Sequence, residues 1–448
     1  MKQKMLKTVF ALAILIISTA AFAMSTEVVT DQSAKYWINS ARYASTDNSA
    51  DIAYYNPAGT AFMDSGIYFS LSTQTLLIPY DQKFAMPAAG FSESYSQDKP
   101  VLSIPNFYVV DNLGKQGIGN LAIFFNAGII GGGGNLAWDG TAGAAALGFA
   151  TAGKTASSLK KTDIDFDASA GMYQIGTGAS YSLNDLISLS AGARYVIARK
   201  SISIDGQYFF EGTAPLPASW TLDLDYETEL AAEGYCFIFG VDLKPVKDLN
   251  VGIKYETETG LRYKYDDKKN TASDSVGNTV APGVASQLAA NDGTKTDANL
   301  PAILAIGAEY NITDAFMISA SSVLYFMNKA DMDGVEDFYN TGYDLTIGTT
   351  YKAMEDLKIG CSVNYTTTGA KDKYYKADGQ LLTASTNPPL DWVYISGGAT
   401  YNVTPDLDIT GSIALIHYLP KDITTSGGFD VEYKKETYVI AFEAGYKI

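Results

Sequence analysis

One histidine, His417, and two cysteines, Cys236 and Cys361, are all the imidazole and thiol this 448-residue chain offers. A Ser-His-Asp or Cys-His relay would have to use His417, which lies on an alternating stretch with no supporting motif. Zinc asks for about four soft ligands, more than two cysteines and one histidine supply. Neither a catalytic residue, nor a metal site, nor a cofactor is therefore expected. Asp331, Asp333, Glu336 and Asp337 imitate a calcium loop without its third acid or amide before the glycine and without its closing Glu, so they read as a solvated acidic loop. Charge pairing is what remains. Asp223, Asp225, Glu227 and Glu229 share one face of a predicted strand whose neighbours carry Arg194 on one side and Lys254 and Arg262 on the other. On alternation this face points inward. It forms either a ladder of paired charges or a place where Arg194, Arg199 or Lys254 meets a ligand carboxylate; Arg199 has the outward parity.

The elements that must hold these residues follow from targeting and composition. Lys2, Lys4 and Lys7 precede the apolar run Val9 to Ile17, and Ala21-Phe22-Ala23 supplies a small-x-small cleavage site, so residues 1–23 read as a secretory signal peptide. Beyond it no apolar run approaches the roughly 18 to 20 residues of a membrane helix. A membrane location would require strands. The formal charge of −17 falls to −20 when three lysines and no acid leave with the signal, which disfavours nucleic acid as a partner. No Pro/Ser-rich linker divides the chain, and its 31 Tyr exceed its 20 Phe and 4 Trp together. That composition suits one large all-β membrane barrel with aromatic girdles.

A hairpin signature recurs. Gly178 to Leu186, Gly240 to Leu249, Gly307 to Asp314, Gly348 to Leu357 and Gly398 to Leu407 each run from an aromatic or apolar strand end through a short polar turn into a new alternating strand. Tyr108 to Gly114 is a looser sixth copy. Spacing that varies from roughly 40 to 75 residues excludes a solenoid or propeller. Six turns join twelve strands, and an opening strand, Ile67 to Ile78, and a closing strand, Val431 to Ile448, make fourteen antiparallel strands in residues 67–448. The even count, with short turns at one end, fits an outer-membrane barrel. The long loops at the other end are predicted at Pro79 to Lys99, Gly131 to Thr162, Ile204 to Ser219, Asp266 to Asn299, Lys329 to Tyr339, Thr368 to Leu390 and Leu419 to Asp430, with short helices in Thr141 to Leu159 and Val284 to Ala290.

A water-filled porin puts polar side chains inward, yet Leu121 to Phe125, Tyr235 to Phe239 and Pro301 to Ile306 are apolar on both faces. Their inward members are expected to meet a plug or an apolar ligand, since facing water forfeits roughly 25 cal/mol per Å². Phe62, Phe124, Phe125 and Phe237 are the candidate lining. A general diffusion porin and a surface adhesin or structural barrel are the alternatives.

Residues 24–66 read as that plug, closing on the turn formers Asn56, Pro57, Ala58 and Gly59. Ser40-Ala41-Arg42-Tyr43-Ala44, Ala50 to Gly59 and Phe62-Met63 resemble the N-terminal hatch of the FadL family, outer-membrane transporters of long-chain fatty acids and, in some branches, aromatic hydrocarbons. The resemblance implies passive uptake, most simply of long-chain fatty acids, by a monomer inserted in the outer membrane by the assembly machinery. Substrate would be captured by outer loops, pass to a buried apolar pocket, and leave through a gap in the wall beside a kinked third strand. Here that strand is about Ile118 to Ile130, with Gly119, Asn126 and Gly128 placed to interrupt pairing. The second and fourth outer loops are longest, whereas the family's capture groove lies between the third and fourth, so that groove is not carried over.

Overall fold

The computed structural model describes residues 33–155 and 157–448. The expected signal peptide and residues 24–32 lie outside them. Nineteen strand segments follow in order: β1 Gly66–Leu77, β2 Tyr80–Met86, β3 Phe91–Gln97, β4 Val101–Gln116, β5 Gly119–Trp138, β6 Ser158–Ser182, β7 Ile187–Glu211, β8 Trp220–Val246, β9 Leu249–Glu256 and β10 Arg262–Asp274. Then come β11 Lys295–Asp297, β12 Ile303–Asn311, β13 Phe316–Tyr325, β14 Gly342–Lys352, β15 Leu357–Thr367, β16 Trp392–Thr404, β17 Leu407–Tyr418, β18 Lys421–Thr424 and β19 Asp430–Lys447.

Pairing runs antiparallel from β1 through β4 to β8, then through the broken pairs β9/β10 and β11/β12, then through β13 to β17 and β19. β19 closes on β1, from Tyr68↔Lys447 to Leu77↔Tyr438. The result is a closed barrel of fourteen strands; five of the six predicted short turns fall within their signatures, and the sixth, predicted at Tyr108 to Gly114, closes a few residues later, at 117–118, because β4 runs on past an irregular pairing between Asn112 and Lys115. β2, β3, β18 and the start of β19 form a separate ribbon at the loop end.

The loop end differs from expectation. β5, β6, β7 and β8 run on through much of the predicted second and third loops, leaving only 139–157 and 212–219 as connections. β8 shows why. In its lower part Tyr235, Phe237 and Phe239 point outward, each about half exposed or more, while Cys236 and Ile238 point in. In its upper part Leu222, Leu224 and Tyr226 point in and are buried, and Asp223, Asp225, Glu227 and Glu229 point out. The facing never changes, but the apolar set changes face, because the wall is bathed in lipid below and in water above. The acids are thus not an inward ladder: Asp225 and Glu229 pair outward with Lys269 and Lys268.

Outward tyrosines mark the borders of the lipid band. Tyr173, Tyr195, Tyr235 and Tyr438 stand at the upper border and Tyr310, Tyr351, Tyr401 and Tyr446 near the short turns, where amphipathic rings meet both phases. Above the band the helix Ala142–Thr155 packs on the helix Leu381–Thr386, with Gly143 N–H donating to Ser385 Oγ at 2.9 Å. Phe84, Phe91, Phe149 and Phe429 pack their rings together beside it, 5.1 to 6.1 Å between centroids. The outer connections therefore cover the bore.

Candidate functional site

Residues 33–65 lie in the bore and touch strands all round the wall. The helix Ala34–Ile38 is capped by Ser33, whose Oγ accepts Tyr36 N–H at 3.0 Å and donates to Asp51 at 2.6 Å. Helix and wall are tied by Trp37 Nε1–H to Gln74 Oε1 at 3.0 Å and by the hydroxyls of Tyr36 and Tyr394 at 3.0 Å. Further along, Asn56 Oδ1 caps Gly59 N–H at 3.3 Å and Pro57 opens the 3₁₀ turn Pro57–Phe62, with Ala58 and Gly59 buried in it. Gly59 is constrained by crowding rather than by a left-handed backbone: a Cβ there would sit 2.5 Å from Asn56 Nδ2 and 2.9 Å from Ser45 O.

Above Tyr36 and Trp37 an apolar cavity of about 220 Å³ is bounded by Leu76, Ile78, Tyr80, Val101, Leu136, Met172, Trp392, Tyr394, Ile416, Tyr418 and Val439. Thr386 and Asn387 reach it from the loops. Its cationic lining side chains, among the described residues, are Lys200, with Nζ 4.3 Å from the Tyr263 ring centre, and Lys435, with Nζ 4.4 Å from that of Tyr418. Below the N-terminal segment lies a different space of about 630 Å³, lined by Lys35, Arg42, Asp47, Glu309, Lys358, Asp406 and Asp408 among others. It is polar and belongs to the short-turn mouth. Burial pulls on the Lys35 ammonium, but Glu443 and Asp408 outweigh it and hold its pKa above the ordinary lysine range.

The residues singled out from sequence fall elsewhere. Arg194 makes a two-pronged ion pair with Glu256, at 2.7 and 2.9 Å, and stacks 4.9 Å from the Tyr54 ring. Lys254 binds Glu256 at 2.8 Å and Tyr54 O at 2.8 Å. Both are buried at the junction of segment and wall, away from the cavity. Arg199 faces outward beside Glu233, 3.4 Å away. Nor do the four phenylalanines line the cavity. Phe237 meets lipid, Phe125 sits on the outward face against Phe107, and Phe62 lies under Lys244 Nζ at 4.3 Å. Phe124 points in and fills space left by Gly178 and Gly192. A strand apolar on both faces had two occupants already, lipid outside and the N-terminal segment or neighbouring glycines inside. The cavity's own lining comes mostly from the upper wall, where the apolar face has turned inward.

β5, the third barrel strand, is irregular beyond the expected positions. Gly119 ends its hairpin, and Asn126 is buried against Gly176. The β4–β5 ladder stops at Asn106↔Gly128, where Asn106 Oδ1 takes Ile129 N–H at 2.9 Å in place of a backbone carbonyl. The next residue along β4 is Pro105, which has no N–H to give. The β5–β6 ladder slips twice, between Ile129 and Gly131 and between Gly132 and Gly134. Gly132 has φ +68°, and a Cβ there would lie 2.3 Å from Ala170 O. Val101, Gly132, Gly134, Ala168 and Ala170 bound both this seam and the cavity.

A lipid-embedded barrel with an occupied bore, a dry recess and a weakened wall defines a channel class that handles apolar molecules in the outer membrane. The family described as outer membrane protein transport protein (OMPP1/FadL/TodX) matches residues 14–448, and the chain belongs to it. It is a multi-pass outer-membrane barrel of a family that transports hydrophobic compounds. No curated protein matches the chain. Among solved structures, a Pseudomonas aeruginosa FadL homologue is similar at TM-score 0.66 and 16% identity, covering 94% of this chain and 99% of its own. The P. putida toluene transporter TodX is similar at TM-score 0.58 and 12% identity over 94% and 99%, and the Ralstonia pickettii toluene transporter TbuX at 0.52 and 15% over 89% and 95%.

Proposed function

We propose that this chain passes long-chain fatty acids inward by diffusion, with residues 24–66 as a hatch, the cavity above Tyr36 and Trp37 as the binding pocket, and the β4–β5 seam as the lateral way out. The observation that carries this reading is the apolar cavity reaching a stretch of wall without a backbone ladder while the space beneath the hatch is polar. An alkyl chain loses roughly 25 cal/mol per Å² on entering water, so sideways passage into lipid is the downhill route. Lys200 and Lys435 are the groups for a carboxylate head, replacing Arg194, Arg199 and Lys254 in that role.

A single-ring aromatic hydrocarbon is the second reading, favoured by size: a dry cavity of about 150 Å³ suffices for benzene. Cross-linking the seam tests the route. A Cβ at Gly134 would lie 3.2 Å from Val101 Cβ, close to the spacing a disulfide needs, about 3.5 to 4.5 Å. In a background with Cys236 and Cys361 replaced by serine, Val101→Cys/Gly134→Cys should lose fatty-acid uptake when oxidised and regain it on reduction. Undiminished uptake by the oxidised form rejects lateral release here. Lys200→Gln separates the substrates. A charge-assisted contact is worth about 1.5 to 3 kcal/mol, so fatty-acid affinity should fall roughly tenfold or more while toluene affinity stays put; equal losses for both would reject the carboxylate assignment.

A further inference from the structure

The joint between hatch and wall contains buried oxygens that no described residue satisfies. Asp242 on β8 is fully buried; its Oδ2 accepts amide hydrogens from Asn56 and from Asn250, the latter at 2.9 Å, while its Oδ1 has no partner among the described residues. Asn250 on β9 spends its Nδ2 on Ala44 O at 2.5 Å and on Asp242, and its own Oδ1 is left over in the same way. Glu309 is buried directly opposite Asn250 in the β9–β12 ladder.

The surrounding charges do not balance. Arg42 is taken by Asp47 and Asp51, and Lys35 by Asp408 and Glu443. Among the described residues no cationic nitrogen lies within 4.0 Å of Asp242 or Glu309; Lys244 and Arg42 act on them only from farther off. A carboxyl so placed either keeps a proton or is met by a cation, because leaving its charge bare costs several kcal/mol. A water molecule would answer the two unused oxygens but not the charge. Carboxylate and amide oxygens with nearby backbone carbonyls, and no nitrogen or sulfur, are the donors that hard cations select.

We propose that a divalent cation of the calcium type binds between Asp242 Oδ1 and Asn250 Oδ1, with Glu309 as the second carboxylate, and pins the Asn56 turn of the hatch to the wall. The site is independent of which substrate the cavity takes. Asp242 and Asn250 meet across the β8–β9 hairpin, eight residues apart, while Glu309 comes from β12, so the pairing strands and not a local motif complete the set.

The full chain, extracted in detergent and stripped with EDTA, is titrated with CaCl2 by calorimetry, with bound metal counted by elemental mass spectrometry. One tight ion per chain is expected, weakened at least tenfold in Asp242→Asn. It should be retained in Asp331→Asn/Asp333→Asn, which disarms the exposed acids that gather near Asp297. Should Asp242→Asn fail to assemble, Asn250→Leu supplies the same comparison. In the unaltered chain, EDTA should speed proteolysis between residues 44 and 59, and calcium should reverse it. Absence of a tight ion, binding of sodium or potassium alone, unchanged affinity in the joint variants, loss in the loop variant, or cleavage indifferent to EDTA each overturns the site.

Discussion

Arg194, Lys254 and Glu256 illustrate how much of a charged residue's meaning lies in its partners. Read singly, each cation on an inward face is a candidate for a ligand carboxylate. Packed together, they consume one another: Glu256 takes both cations, and Tyr54 of the N-terminal segment covers them. Removing one partner from such a group leaves uncompensated buried charge, at a cost of about 3 to 5 kcal/mol. Arg194→Ala should therefore lower the temperature at which the barrel loses its heat-resistant gel mobility, while uptake per folded molecule is unchanged. A large loss of uptake at unaltered thermal resistance would return Arg194 to the transport path. The parity that sends Arg199 outward was legible in the sequence, whereas the place of Lys200 on the cavity was not, because its neighbour relations depend on walls and loops distant in the chain.

At the scale of elements, alternation located strands and turns well and judged faces only in part. The stretch Leu249 to Tyr265 reads as one strand with its odd residues toward lipid. In the structure it breaks after Glu256 into β9 and β10, so that Tyr255 faces out while Leu261, Tyr263 and Tyr265 face in. β7 and β8 reach the same end without a break, by exchanging the composition of their two faces. Asp274, at the end of β10, shows a connection held by one side chain: its carboxylate accepts the N–H groups of Val276, Val280 and Ala281, at 3.0, 2.7 and 2.7 Å, and so starts the helix Ala281–Leu288. Burial pushes its pKa up, but these donors outweigh it and set it below the ordinary carboxylate value. A lowered folded pKa stabilises above the unfolded pKa, about 3.9, and that stability is lost as pH falls through the folded value. Hydrogen exchange of residues 276–284 should accordingly stay slow down to about pH 4 and quicken below it, and Asp274→Ala should remove the transition.

For the whole molecule, the consequential feature is the separation of two spaces by the N-terminal segment, a dry one above Trp37 and a polar one around Lys35 and Arg42. A bore so divided is a poor path for water-soluble solutes. Liposomes containing the full chain should not swell in small sugars, whereas removal of residues 33–63 should admit them. Swelling by the intact chain would favour the diffusion porin instead.

From the sequence alone came the strand count, five of the six turns, the helices between Thr141 and Leu159 and near Val284, and the compact character of the stretch ending at Asn56 to Gly59. These depend on short-range rules: turn chemistry, a period of two, and backbone-capping side chains, all written within a few residues. Only the tertiary structure decided which apolar face meets lipid, which meets the N-terminal segment and which borders the cavity. The same alternation serves all three, and what lies across the wall or the bore is supplied by residues hundreds of positions away.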